Sequence, residues 1–422
     1  METLATTDVE DCAWRAALTT FRNEYEATST FERQWKRQCC LNVWARLKSN
    51  EGTIVRVEAH DPPSVLDTLL CLNVIKIFMR ERIDIDPFLS LEAFRVFLDL
   101  AESKDSTEAI SLEALKCAIN SVYARPEFVS SLLTSPHYDR LFHLTTLARP
   151  FEFHTLVWKC LLMSFENPAA IERVERTLNG YDCILPTIRY CLECSSFAKD
   201  SKCVDLVTEL LKTLYVLAAS WQNASQLPDH IDNFADQAMA LLSAVLGRPN
   251  SARVLALKFH VQFHPAVNLL LLVQHPLLVE SFVQSGGMPP LVSFLTFAIM
   301  KVRVEKTENP SVLTPVVIAL HQLAKNNREG FRLLKVAIFN DETSPVGTAT
   351  PEVLTQLPMN PPAAAKGSLQ ESFCSFMTST DTDLKRCVSE FLFTLCHHNA
   401  LEFTQRTGMG NAVALLRLKG IV

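Results

Sequence analysis

Glycine is scarce, with 11 in 422 residues, and no alternating apolar and polar run closes at an Asn-Gly or Asp-Gly turn. Sheets built from hairpins therefore lose their main signal. Net basic charge is missing too. The 46 acidic residues outnumber the 40 basic ones and leave −6 at pH 7, which excludes a general nucleic-acid or anionic-membrane binder and makes any cationic patch local. No apolar run reaches the length of a membrane span, and the opening METLATTDVEDC is polar and acidic, without the n- and h-regions of a secretory leader. No GxxxxGK[ST] phosphate loop occurs. Gly408-Met409-Gly410 lacks the third glycine and the preceding strand of a dinucleotide fingerprint and reads as a helix junction. With no nucleophile elbow or acidic metal cluster, covalent catalysis has no support, and the chain is expected to be no enzyme and to need no cofactor or metal.

The 13 cysteines lie singly in apolar stretches, as reduced thiols do when they serve as small core residues, and imply a cytosolic address. Cys191 and Cys194 form a CxxC without a second CxxC or a spaced histidine pair, so two thiols on a helix face are the simpler reading. His260 and His264 are four apart but lack the HExxH glutamate and read as solvated or packed. The sequon Asn223-Ala-Ser225 has no meaning in a reducing compartment.

What is abundant is apolar surface at helical spacing: 48% of residues are hydrophobic and 20% charged. Cys203, Val207, Leu210, Leu214, Leu217 and Trp221 keep a 4-3-4-3-4 rhythm, and Leu384, Val388, Phe391 and Leu395 repeat it. Prolines at 62–63, 126, 136, 150, 168, 228, 249, 289–290, 310 and 315 interrupt or open helical stretches. Ser64 with Asp67 resembles a capping box and puts a helix start near residue 65; Thr314-Pro315 is a similar start signal.

The stretch CLNVIKIFMRER, 71–82, is apolar nearly all round as a helix, yet Asn73, Lys76 and Arg80 fall at i, i+3 and i+7 along one line. Forty residues on, SLEALKCAINSVYARP carries Glu113, Lys116 and Asn120 at the same spacing between Ile110, Leu112, Leu115, Ile119 and Val122. Two largely buried helices with the same narrow polar line are more than a solvated face requires. Repeats of roughly 40 residues are the armadillo and HEAT length class and give about nine or ten units here. The expectation is an all-α armadillo/HEAT-type helical repeat superhelix over 1–422 as a single domain, with a mobile loop at 340–368, rich in proline, threonine and alanine. Stacking would align the stripes into a groove with cationic and amide donors, suited to a peptide bearing carboxylates, and His321 and Lys325 belong to a later rung. Lys385 and Arg386 fall in the first turns of a helix whose dipole disfavours cations, a broken local rule of the kind that marks functional sites, unless Asp381 and Asp383 simply neutralise them.

DTDLKRCVSEFLFTLC (381–396) and FTQRTGMGNAVALLRLKGIV (403–422) resemble the closing repeats of the synembryn family, the resistance-to-inhibitors-of-cholinesterase proteins. LNVIKIFMRER and LKCAINSV resemble its early repeats, and HPAVNLL (264–270) is a local fit between them. The resemblance implies an armadillo/HEAT array that acts as a guanine-nucleotide exchange factor and chaperone for heterotrimeric G-protein α subunits, GDP-bound or nucleotide-free, taking the α subunit's C-terminal helix in its groove. It further implies a cytoplasmic monomer, recruited peripherally to the cell cortex, without nucleic-acid binding or membrane insertion. Lys76, Arg80 and Asn120 match the family's groove-lining basic and amide positions, and Lys385 and Arg386 its DTD-hydrophobic-K-R element. Lys76 replaces a common arginine and loses its bidentate fork, and Val216 in TLYVLA replaces an asparagine. The acidic segment and helical tail of relatives have no counterpart expected within these residues. The rival expectation is a passive armadillo scaffold or transport adaptor.

Overall fold

The computed structural model describes residues 2–6, 10–27, 30–54, 62–104, 106–194, 200–220, 239–240, 276–306, 309–340, 359 and 367–422. Among these residues there are helices and turns and no strand, as the scarcity of hairpin signals predicts. The expected loop at 340–368 falls mostly outside the described residues, as do His260, His264, Asn223, Trp221 and residues 264–270.

The chain divides into two compact units, residues 1–184 with 200–217, and residues 185–199 with 218–422. In the first, the helices of six or more residues are α1 (Asp11–Tyr25), α2 (Arg33–Ile54), α3 (Pro62–Phe78), α4 (Leu91–Glu102), α5 (Glu108–Ala124), α6 (Phe128–Leu133), α7 (His137–His143) and α8 (Phe151–Ser164). Then α9 (Gly180–Glu193) and α10 (Ser201–Ser220) carry the chain to the second unit. That unit holds α11 (Pro276–Gln284), α12 (Met288–Met300), α13 (Thr314–Asn326), α14 (Arg328–Phe339), α15 (Leu369–Phe376), α16 (Thr382–Leu395), α17 (Ala400–Thr407) and α18 (Met409–Leu418).

Sequence distance between partners in the first unit reveals the repeat. Lys36 bonds to Glu81 across 45 positions, Lys76 to Glu113 across 37, Arg140 to Glu102 across 38 and Arg173 to Asp139 across 34. Each helix pair is thus tied to its neighbour about 40 residues away, as in armadillo/HEAT-type arrays. Apolar burial does the rest: α5 packs against α3, α4 and α8, with Ile110, Ala114, Leu115, Cys117 and Ala118 fully enclosed. The Cys117 thiol donates to the Leu72 carbonyl at 3.5 Å, and burial pushes its pKa upward. A thiol there serves packing, as the scattered cysteines suggest.

Helix starts follow local chemistry. Ser90, Thr107, Asn327, Ser368, Asp381 and Asn399 each accept an amide from the first turn of the helix that follows. Two starts differ from the sequence reading. Helix α3 begins at Pro62 rather than near 65, because proline needs no partner for an N–H in the first turn. Thr314 lies inside α13, and Asn309 caps the short turn before it. Gly408 joins α17 to α18 at φ 82°, with its N–H on the Thr404 carbonyl at 2.8 Å, a backbone that glycine adopts freely. We expect Asn327→Ala to lower the stability of the second unit by about 1 kcal/mol and Asn327→Gly by only a few tenths. A urea midpoint that moves equally for both variants would show that the side chain caps nothing.

No single helix among the described residues is long and apolar enough to cross a membrane. The apolar segments Leu278–Gln284 and Met288–Arg303 bend by 89°, and their Val279, Phe282, Leu291 and Leu295 are core residues of the second unit. The bend is tight because Gly287 leaves room for the Phe282 ring, which a Cβ would meet at 2.3 Å.

Candidate functional site

On α3, Leu70, Cys71, Leu72, Val74, Ile75, Ile77 and Phe78 are buried, while Asn73 and Lys76 stay half-exposed. Between Ile110 and Val122 on α5, the half-exposed positions are Glu113, Lys116 and Asn120. The helical line drawn from the sequence is therefore the solvent-reaching line of both helices. The two lines meet: Lys76 Nζ donates to Glu113 Oε2 at 2.6 Å and Lys116 Nζ to Glu113 Oε1 at 2.6 Å. Lys76 also reaches Asn73 Oδ1 at 3.3 Å, and the Asn73 amide donates back to Leu69 O at 2.9 Å. Burial would raise the Glu113 pKa, but hydrogen bonds and charge from Lys116 and Lys76 outweigh it and hold this carboxyl below its usual range.

Arg80 departs from the expected geometry. Helix α3 ends at Phe78, so Arg80 sits in the closing turn rather than a further helical turn along the stripe. It is exposed, and its guanidinium donates to the Glu26 carbonyl. The turn is pinned from several sides, which is why the helix stops there. Glu81 gives both its carbonyl and its carboxylate to the buried Lys36 ammonium, at 3.0 and 3.1 Å. Arg33 bonds Asp84 at 2.8 Å, and the Arg82 guanidinium lies 4.2 Å from the centre of the exposed Tyr123 ring. Asn120 remains half-exposed on the stripe.

The remaining candidates lie in the second unit. His321 of α13 bonds Thr394 of α16 through Nε2 at 2.9 Å, and burial lowers its pKa, so its ring serves the α13–α16 packing. Lys325, one turn further, is exposed. On α16 the Asp381 carboxylate caps the amides of Asp383 and Leu384 at 3.1 and 3.0 Å. Asp383 stands 3.9 Å from the Arg386 guanidinium, a loose exposed pair. Two acids thus offset the helix dipole near its start, where Lys385 is half-exposed and Arg386 exposed. Cys191 is buried and Cys194 half-exposed; among the described residues no group of three His, Cys, Asp or Glu side chains could hold a metal ion.

Two features escaped the sequence reading. One is the bridging role of Glu113. The other is a pair of buried ammoniums, Lys36 and Lys335, with side chains 1% and 2% exposed. A positional signal existed for both, since Lys36, Cys39, Cys40, Val43 and Leu47, and likewise Phe331, Leu334, Lys335 and Ile338, follow the spacing of an apolar face.

Comparison with known proteins agrees with the resemblance. Residues 71–422 match the family described as guanine nucleotide exchange factor synembryn, Ric8. The chain is 24% identical over 442 aligned residues to the protein named Chaperone Ric-8A of Macaca fascicularis, covering 96% of this chain and 76% of that protein. A shorter stretch of 55 residues is 44% identical to the Chaperone Ric-8A of Xenopus tropicalis, 13% of this chain and 10% of the other. Among solved structures, a designed armadillo repeat protein is similar at a TM-score of 0.44 and 11% identity, over 71% of this chain and 98% of its own.

Proposed function

This chain belongs to the synembryn family of guanine nucleotide exchange factors, and from that premise we propose that its polar stripe captures the C-terminal helix and terminal carboxylate of a heterotrimeric G-protein α subunit. The observation that carries the proposal is the pair of solvent-reaching lines on α3 and α5, where Lys76, Lys116 and the nearby Arg80 offer cationic donors beside stretches, 70–78 and 110–122, that are otherwise buried. Asn73 and Asn120 add amides to that face. The second unit carries candidate partner-binding cations of its own in Lys325, Lys385 and Arg386, and His321, committed to Thr394, contributes least.

Capture of the C-terminal helix draws it away from the loop that supports the guanine ring, and GDP leaves. Release is driven only insofar as the empty α subunit binds more tightly than the loaded one, each tenfold preference being worth about 1.4 kcal/mol. GTP then returns the α subunit to a form that fits the stripe poorly. No bond is made or broken. A surface that holds the nucleotide-free form also shields a newly made α subunit, which is what a chaperone for that subunit requires.

Incubating a G-protein α subunit carrying labelled GDP with this chain should accelerate label release several-fold over the spontaneous rate. A passive peptide-binding scaffold would bind the same C-terminal peptide and leave the rate unchanged. An unchanged rate together with intact peptide binding would replace the exchange reading by the scaffold reading.

A further inference from the structure

The stripe contains its own anion. Glu113 is the sole carboxylate among the half-exposed positions of α5 between Ile110 and Val122, and each of its oxygens holds one ammonium at 2.6 Å. Its side chain is 14% exposed, whereas the Lys76 and Lys116 side chains are 30% and 35% exposed. The two cations are therefore reachable from solvent while the anion between them is mostly covered. Each ammonium has three N–H donors. Lys76 spends one on Glu113 and one on Asn73, and Lys116 spends one on Glu113, so both keep capacity for an arriving acceptor.

We infer that Glu113 is a resident counter-ion that sets which acidic peptides the stripe accepts, admitting an isolated carboxylate and rejecting a cluster of them. The inference rests on the peptide-capture reading given above. Around Glu113 two ammoniums less one carboxylate leave one net positive charge, which a single terminal carboxylate neutralises, and the exposed Arg80 beyond the end of α3 adds one more. Carboxylates beyond those that Lys76, Lys116 and Arg80 can offset would lie close to Glu113 without a cation of their own, and like charges at such range repel. Glu113 also holds the two ammoniums at fixed separation, so the donors are placed before the ligand arrives and less side-chain entropy is lost on binding. Its covered position fits this role, because water cannot fully screen it.

The test uses the full chain and two labelled helical probe peptides of the same apolar sequence, one with a single free C-terminal carboxylate and one with three glutamates added in its last turn. Anisotropy titrations should show Glu113→Gln raising affinity for the triglutamate probe about tenfold, by removal of one repulsive charge, while the single-carboxylate probe changes less than about threefold. Adding Lys76→Met to Glu113→Gln should reverse the gain, and thermal melts of both variants report whether the fold is kept. A triglutamate probe whose affinity is unchanged or reduced, including no measurable binding, overturns the inference. Equal weakening of both probes would show that Glu113 only positions the lysines. A G-protein α C-terminal peptide is titrated alongside; if it binds neither protein while the triglutamate probe still gains, the partner proposed above falls and the role of Glu113 stands.

Discussion

Lys335→Met should lower the stability of the second unit by about 3–5 kcal/mol, the range for removing one partner of a buried ion pair. Lys335 on α14 and Glu402 on α17 are 2% and 1% exposed, with Nζ 2.9 Å from Oε1. The carboxylate oxygens find no aligned hydrogen-bond donor among the described residues, so charge rather than hydrogen-bond geometry holds them. The next cation, Arg406, is 3.8 Å away and lies over the Phe339 ring at 5.0 Å. The single substitution therefore leaves the buried carboxylate only the looser Arg406 pair, and a poorly compensated charge in an apolar interior costs several kcal/mol. Replacing both residues, Lys335→Met with Glu402→Leu, removes the penalty and should return most of the loss. Because the chain has two units, a single global transition is a poor readout. Hydrogen exchange of the α14 and α17 amides reports the opening of this region directly. A loss under about 1 kcal/mol in the single variant would mean that water already reaches the pair.

That pair also shows where sequence legibility ends. Helical periodicity exposed the stripe on α3 and α5 because an all-round apolar helix makes a polar line conspicuous. The same periodicity concealed Lys335: within FRLLKVAIF a lone lysine passes for a solvated position until its place beside Leu334 and Ile338 is weighed. Glu402 was hidden by a second role, since its amide donates to the capping Asn399 Oδ1 at 3.0 Å and a glutamate three residues after a cap reads as an ordinary capping box. Arg80 was legible as a residue but not as a place, because the turn that ends α3 depends on Lys36, 45 positions from Glu81. Long-range partners explain the repeat as well. In the second unit Arg303 meets Ser372 across 69 positions and His321 meets Thr394 across 73. Setting aside the segment 340–368 returns both to about 40, the spacing of neighbouring rungs.

Arg80→Glu should reduce binding of a G-protein α C-terminal peptide by at least about a hundredfold, since an opposed charge in a recognition groove costs several kcal/mol. Arg80 is the one cation of the early stripe without a carboxylate among the partners described for it; its bond runs to the Glu26 carbonyl, so its charge is not already neutralised as that of Lys76 is by Glu113. Loss of an exposed hydrogen bond of this kind costs about 1 kcal/mol or less, so the thermal transition should hardly move. Arg80→Ala should fall between wild type and Arg80→Glu, and its affinity should depend less steeply on salt. Arg332→Glu, an exposed reversal on α14 outside the residues proposed to bind, controls for net charge and should leave peptide binding within about twofold. The opposite signs expected at Arg80 and Glu113 matter most. Structural damage would weaken the acidic probes in both variants, whereas electrostatic recognition weakens them at one and strengthens the triglutamate probe at the other. Retained peptide affinity in Arg80→Glu would move the binding face away from α3 altogether.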